Sequence, residues 1–353
     1  MTETHNRSSD VGHQALTGQG GGRRRKGGGG KGGGKRRDEH QMVPDAHFTS
    51  YYGRPILKAS PWEKDIPAYL FLGGLAAGSS LLGAGADLSG RPVLRRSSRF
   101  AALGAIGVSF AALVHDLGRP ERFINMLRVA KPTSPMSVGT WLLTGYAPLA
   151  GLAAAAELRH LLPHRLSWAA QLLGGLARPA GLGAAVVAPA VASYTAVLLS
   201  DTATPTWHDA HRHLPFVFVG SASAASGGLG MIVAPLSQSQ PARRLAVGGA
   251  LLELAVEHKM ERAMGLSAEP LHQGRPGQLM RASKTLTAAG AVGAAVSGRS
   301  RLLSAVSGAA LIIGSACTRF GVFEAGQESA RDPKYVVVPQ RERIAAGHAA
   351  GPA

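Results

Sequence analysis

Residues 67–86 read PAYLFLGGLAAGSSLLGAGA, twenty positions without Asp, Glu, Lys, Arg or His. A helix rising about 1.5 Å per residue covers roughly 30 Å over that length, the thickness of the hydrocarbon core of a bilayer. Residues 136–156, 179–200 and 214–242 pass the same test. Residues 302–318 and 100–114 give two further spans, the second after extension at its ends. Residues 245–258, which carry Glu253 and Glu257, and residues 285–298, short and rich in small side chains, are weaker. Both fall where a chain of this kind must turn back. The expected architecture is all-α, a polytopic integral membrane protein of about eight transmembrane helices. Residues 167–177 are a candidate interfacial segment.

The spans owe their apolar character to Ala and Gly more than to Leu, which suits close helix contact in lipid. Gly74 and Gly78 lie on one face of the first span, and Gly227, Gly228 and Gly230, then Gly290 and Gly293, recur in later ones. Small residues at such spacing let backbones approach within van der Waals range.

Outside the spans the composition changes. Residues 19–37 read QGGGRRRKGGGGKGGGKRR, with eight basic residues and no acid. Glycine permits many backbone conformations and like charges repel, so disorder is expected. The run suits an anionic membrane surface, nucleic acid being the competing role and not adopted, and a solvated tail held inside is the favoured reading. No apolar segment follows the RRRK run closely enough for a secretory or twin-arginine signal. The expected division is a Gly/Arg/Lys-rich tail at 1–60, a transmembrane domain at 61–325 and a polar tail at 326–353. Lys and Arg are in excess on the amino-terminal side of the eight spans, chiefly because of the first tail, which argues for both termini in the cytoplasm. Arg91, Arg95, Arg96 and Arg99, after the first span, argue the other way.

One cysteine, Cys317, read as buried in the last span, excludes a Cys-ligated iron–sulfur cluster and a c-type haem in this chain. Haem b is disfavoured because none of the 13 histidines lies in the middle of a span. A redox cofactor would have to be mobile or belong to a partner.

The polar groups that remain sit where spans end. His115-Asp116-Leu117-Gly118-Arg119-Pro120, followed by Glu121, Arg122 and Phe123, closes the second span, and the Gly-Arg-Pro step stops the helix. A histidine beside an aspartate at the bilayer boundary can exchange protons near neutral pH. On chemistry alone a polar cap against lipid head groups explains the pair equally well.

HDLGRPERF at 115–123 and PTSPMSVGTW at 132–141, in that order, resemble the NrfD/PsrC family, the polysulfide-reductase type of membrane subunit found in molybdopterin oxidoreductase complexes. Tyr69 to Gly78 is similar to that family's opening helix, and Tyr194-Thr195-Ala196 to its Tyr-Thr-Gly element, with Ala in place of Gly. The resemblance runs from about Trp62 to the carboxyl end; the basic tail lies outside it. It implies two four-helix bundles, no bound metal, and a quinone site near the face that docks an iron–sulfur subunit. The implied partners are a four-cluster ferredoxin-like subunit and a molybdopterin catalytic subunit. The implied mobile cofactor is menaquinone, and formate dehydrogenase is the leading candidate for the complex.

Quinone reduction takes two electrons and two protons, so its site needs an apolar slot and hydrogen-bonding groups at the carbonyls. Tyr194 is the candidate donor to one carbonyl, with His115 and Asp116 serving the other or relaying protons. Alternation of the spans puts both ends on the amino-terminal side. Trp62, with Glu63 and Lys64, is read as a partner or head-group contact, an interfacial anchor being the commoner explanation. Arg119 and Arg122 suit either acids of the partner or lipid phosphate. Glu253 and Glu257, four apart, are costly in lipid and mark either proton conduction or pairing with a neighbouring helix, the second being favoured. His208, His211 and His213 read as a solvated loop rather than a metal site. A secondary transporter and a purely structural anchor are the alternatives from other classes.

Overall fold

The computed structural model describes residues 55–349, apart from 117–120 and 122–124. The readings of the basic tail, Arg119 and Arg122 lie outside the described residues. Eight long helices follow one another: α1 Asp65–Leu88, α2 Pro92–Asp116, α3 Pro135–Ala156, α4 Ser167–Ser200, α5 Leu214–Val233, α6 Gln240–Met264, α7 Gly274–Val296 and α8 Arg301–Arg331. A shorter α9, Lys334–Ala349, closes the chain. Among the described residues no strand occurs. Six helices, α1 to α5 and α8, are long and apolar enough to cross a membrane. The other two are the spans that read as weak: α6 carries Glu253, Glu257 and Glu261, and α7 carries Arg275, Arg281 and Lys284.

Punctuation by Gly and Pro explains several boundaries. Gly90 takes a positive φ of 67° where α1 turns into α2, a conformation that costs glycine little. Pro135 occupies the first turn of α3, where its missing N–H would be unpaired anyway. Three sequence readings need correction. Residues 167–177 are no separate interfacial segment but the opening of the 34-residue α4, longer than a bilayer core is thick. The stretch 214–242 is not one span: α5 ends at Val233, Ala234 is extended ahead of Pro235, and Ala242 belongs to α6. Cys317, expected to be buried, is half-buried.

The helices form two four-membered rings. In the first, α1 packs on α2 and α4, and α3 completes the ring; in the second, α5 packs on α6 and α8, with α7 between those two. The seam is made by α1 and α4 against α5, with α8 also reaching α1. Outward faces carry apolar side chains that a water-soluble protein would bury, among them Val186, Val292 and Leu302. Glycines make the close contacts of the seam and of the second ring. A side chain at Gly78 would enter Ser226 and Ala222 of α5, and one at Gly228 would lie 2.6 Å from the carbonyl oxygen of Gly308 on α8. The expected small-residue faces are thus the places where backbones touch.

On the side away from the amino terminus, the end of α1 meets α2 and α3 through charge. Arg95 bonds Glu157 at 2.7 Å and Asp87 at 3.3 Å, and the buried Arg99 bonds Glu157 at 2.8 Å. Burial alone would raise Glu157, but hydrogen bonds and charge from Arg95 and Arg99 hold it below the usual carboxylate range. Arg91 donates to the Ser237 carbonyl at 3.0 Å and Arg96 lies over the Phe100 ring, so all four arginines that opposed the topology assignment have structural partners. Arg301 closes the end of α5 by donating to the carbonyls of Met231, Ile232 and Ala234.

On the amino-terminal side α9 is tied down by Lys334, whose Nζ lies 2.9 Å from Glu269. That hydrogen bond lowers the Glu269 pKa from its ordinary value. A carboxyl lowered by folding contributes stability above its unfolded pKa and loses it as pH falls through the folded one. Acidification through the carboxylate range should therefore speed proteolytic removal of α9, and Glu269→Gln should do so at neutral pH; fragment masses over time check both.

Replacing Gly228 by Ala forces α5 and α8 apart and should cost about 1–3 kcal/mol. At Gly248, where an added Cβ meets nothing within 4 Å, the same change should leave the unfolding midpoint in detergent unchanged.

Candidate functional site

The amino-terminal end of the first bundle gathers the recognisable parts of the sequence. Asp65 and Tyr69 stand four apart on the opening turns of α1, hence on one face. Asp65 accepts or shares a proton with Nδ1 of His115, 2.7 Å away at the end of α2. One turn further in, the Tyr69 hydroxyl is hydrogen-bonded to that of Tyr194 on α4. Both phenols are buried. Gly139, in the second turn of α3, leaves the space that the Tyr194 ring fills, since a Cβ there would enter the ring.

Each contact has a local cause. The first turn of α1 follows the polar string Trp62-Glu63-Lys64, so Asp65 stays at the rim while Tyr69 enters the bundle. The Ser109 hydroxyl of α2 donates to the Tyr69 carbonyl at 3.1 Å, fixing α2 against that turn. Tyr146 of α3 donates to the Ala76 carbonyl and shares a hydrogen bond with Ser80, both at 2.7 Å. Three helices are thereby registered on α1.

Of the residues expected at the site, His115 and Tyr194 lie toward the same end of the bundle but bond separately to the opening turns of α1, at Asp65 and at Tyr69, and not to each other. His115 is 82% exposed and Asp65 36%. Asp116 is half-buried at the end of α2, near the Glu63 backbone. Trp62 is half-buried, stacked 6.0 Å from Trp207, and its carbonyl accepts from Gln327 of α8. Trp207 in turn packs on Phe323 and donates to the Val322 carbonyl at 2.8 Å. Trp62 thus pins the entering chain to the second bundle.

An open cleft of about 1180 Å³ lies beside this rim, lined by Trp62, Asp65, His115, Arg275, Glu324 and Tyr335 among others. Neither Tyr69 nor Tyr194 lines it; the two phenols lie deeper in the first bundle. The cleft is charged and wide, as suits a protein surface, whereas the tyrosine pair is buried among apolar side chains.

Glu253 and Glu257 point into the second bundle, each 1% exposed. Glu253 accepts from Thr318 of α8 at 2.7 Å, and Glu257 lies 3.7 Å from Lys284 of α7. Arg319, fully buried on α8 and close to Gly74 of α1, is the one large cation of this interior among the described residues, and the sequence reading passed over it. Its signal was a charge directly after the 302–318 window. His208 and His211 lie with rings 5.8 Å apart beside the end of α4. Among the described residues no group of three or more His, Cys, Asp or Glu is arranged to hold a metal.

Two helical rings with buried phenols at one end and an adjoining charged cleft define a polytopic membrane subunit with a polar site at one bilayer boundary. In a comparison with protein families, residues 57–268 match the family described as polysulphide reductase, NrfD. The match covers more than half of the chain, and the protein belongs to that family, whose members are membrane subunits of oxidoreductase complexes and are generally associated with quinones. A comparison with curated proteins finds no match.

Tyr69→Phe leaves the buried Tyr194 hydroxyl without its partner and should cost about 1–3 kcal/mol. Removing both hydroxyls removes the stranded group as well, so the double Phe variant should be more stable than the single one in detergent unfolding.

Proposed function

We propose that this chain is the quinone-reactive membrane anchor of a molybdopterin and iron–sulfur oxidoreductase complex, with menaquinone as its mobile cofactor. The observation that carries this reading is the convergence of four separate sequence elements, bearing Tyr69, His115, Gly139 and Tyr194, at one end of one bundle. Of the two phenolic protons in the Tyr69–Tyr194 pair, only one is used between them. The other is free to donate to a quinone carbonyl, where negative charge builds up during reduction. Asp65 and His115 stand between that pair and the aqueous rim and supply or remove the protons. Asp116 holds the end of α2 against the chain that enters α1.

In this reading the charged cleft beside Trp62 receives the four-cluster ferredoxin-like subunit, and that subunit receives electrons from the molybdopterin enzyme, formate dehydrogenase being the leading candidate. Arg119 and Arg122 contribute to the same docking or bind lipid phosphate. Both termini face the cytoplasm, because the basic tail outweighs the opposing loops. The catalytic partners then stand on the cytoplasmic face.

In the assembled complex, Tyr194→Phe should lower quinone-linked turnover at least about tenfold, equivalent to about 1.4 kcal/mol of barrier. Reduction of an artificial dye by the catalytic partner should be unchanged. Unaltered quinone turnover in Tyr194→Phe and in His115→Asn would support a plain structural anchor instead.

A further inference from the structure

We propose that Glu261, Glu257 and Glu253 form a proton path that enters the second bundle at its amino-terminal-side rim and ends beside Arg319 in the interior of the bilayer. The three carboxylates are spaced four apart on α6 and so form one stripe along the helix. Glu253 lies 11 residues before the end of α6 at Met264, about 16 Å inside at the helical rise. An ionised carboxylate at that depth is expensive unless a cation or a proton accompanies it.

Cations stand at the two ends of the stripe. At the rim, Lys284 holds Glu261 at 2.7 Å and reaches Glu257 only at 3.7 Å, with His272 3.9 Å from Glu261. At the inner end, Arg319 donates to the Phe218 carbonyl at 2.8 Å, while its Nε and Nη1 find no hydrogen-bond partner among the described residues. Neither oxygen of Glu257 is hydrogen-bonded, nor is Oε2 of Glu253. A purely structural pair would bring cation and carboxylate into hydrogen-bond contact, because an unsatisfied buried charge is what destabilises such a pair. Here Glu257 lies 3.7 Å from Lys284 without a hydrogen bond and Glu253 is held by Thr318 rather than by a cation, so neither of the two inner carboxylates is fixed by a counter-charge.

The inner end accepts either protonation state. Thr318 Oγ1 lies 2.7 Å from Glu253, 3.1 Å from the Gly314 carbonyl and 2.6 Å from Ser283. Its one proton can go to an ionised Glu253. Once Glu253 carries a proton, that proton can be donated to Thr318, which then donates to Gly314. No hydroxyl in the cluster loses its partner in either case.

The other titratable groups around the stripe are committed elsewhere. Helix α5 brings none; on α7, Arg281 donates to the His272 carbonyl and Arg275 pairs with Glu324 of α8 at 3.3 Å. Glu269, in the turn after α6, is held by Lys334, and His258 and Lys259 face outward from α6. A proton moves in two steps, from Glu261 to Glu257 and from Glu257 to Glu253, and each donor is reprotonated from the rim side. The path requires no quinone, so it stands apart from the function proposed above.

The test is infrared hydrogen–deuterium exchange on the purified full-length chain in lipid nanodiscs. A protonated-carboxyl band that Glu253→Gln abolishes should shift rapidly in D2O, and Glu257→Gln should slow that shift about a hundredfold. Should Glu257→Gln fail to assemble, Glu261→Gln, near the rim, should slow the same band. Absence of any protonated-carboxyl band from Glu253 or Glu257 across the stable pH range overturns the proposal, as does an exchange rate that both rim-side variants leave unchanged.

Discussion

Inside a bilayer a polar group has no water to turn to, so each one must be satisfied by another part of the protein. In this chain that constraint falls on α1. Its carbonyls at Tyr69 and Ala76 accept from Ser109 and Tyr146, its Leu75 carbonyl accepts from Ser226 of α5, and its Tyr69 hydroxyl meets Tyr194. Its glycines admit α5 and the Arg319 side chain. One helix thereby aligns both bundles, and the residues of the proposed quinone site are positioned because they share that helix's first two turns.

The same constraint separates two kinds of polar interior. At its amino-terminal end the first bundle buries phenols and hydroxyls, which donate and accept without carrying charge, and its buried Arg99 at the far end is paired with Glu157. The second buries Glu253, Glu257 and Arg319, groups whose burial is tolerated only with a counter-charge or a proton. Proton-coupled chemistry at the rim of the first and proton storage within the second suit the proposed role, in which electrons pass only through partner subunits and a mobile quinone.

The spans were legible because a run of twenty charge-free residues has few other uses. What escaped the reading did so for identifiable reasons. A charge-free window must stop at Arg178 and at Arg319, yet α4 and α8 pass through both, because α4 outruns the bilayer and Arg319 has Glu253 and Phe218 as neighbours. His115 and Tyr194 were visible as polar residues at span ends, and their shared side followed from alternation alone. Asp65 and Tyr69, which link them, were hidden: an acid beside Lys64 reads as an interfacial charge, and a Tyr in an apolar run reads as core. The partner of a polar residue depends on which helices are neighbours, and no local pattern encodes that.

The central claim is that a quinone head group sits against Tyr69 and Tyr194 at the amino-terminal end of the first bundle. The most direct measurement is photolabelling of the membrane-embedded complex with an azidoquinone, followed by peptide mapping. The account predicts adducts on the opening turns of α1, the first half of α3 or the last third of α4, displaced by excess unlabelled menaquinone. Displaceable adducts confined to the second bundle would contradict it.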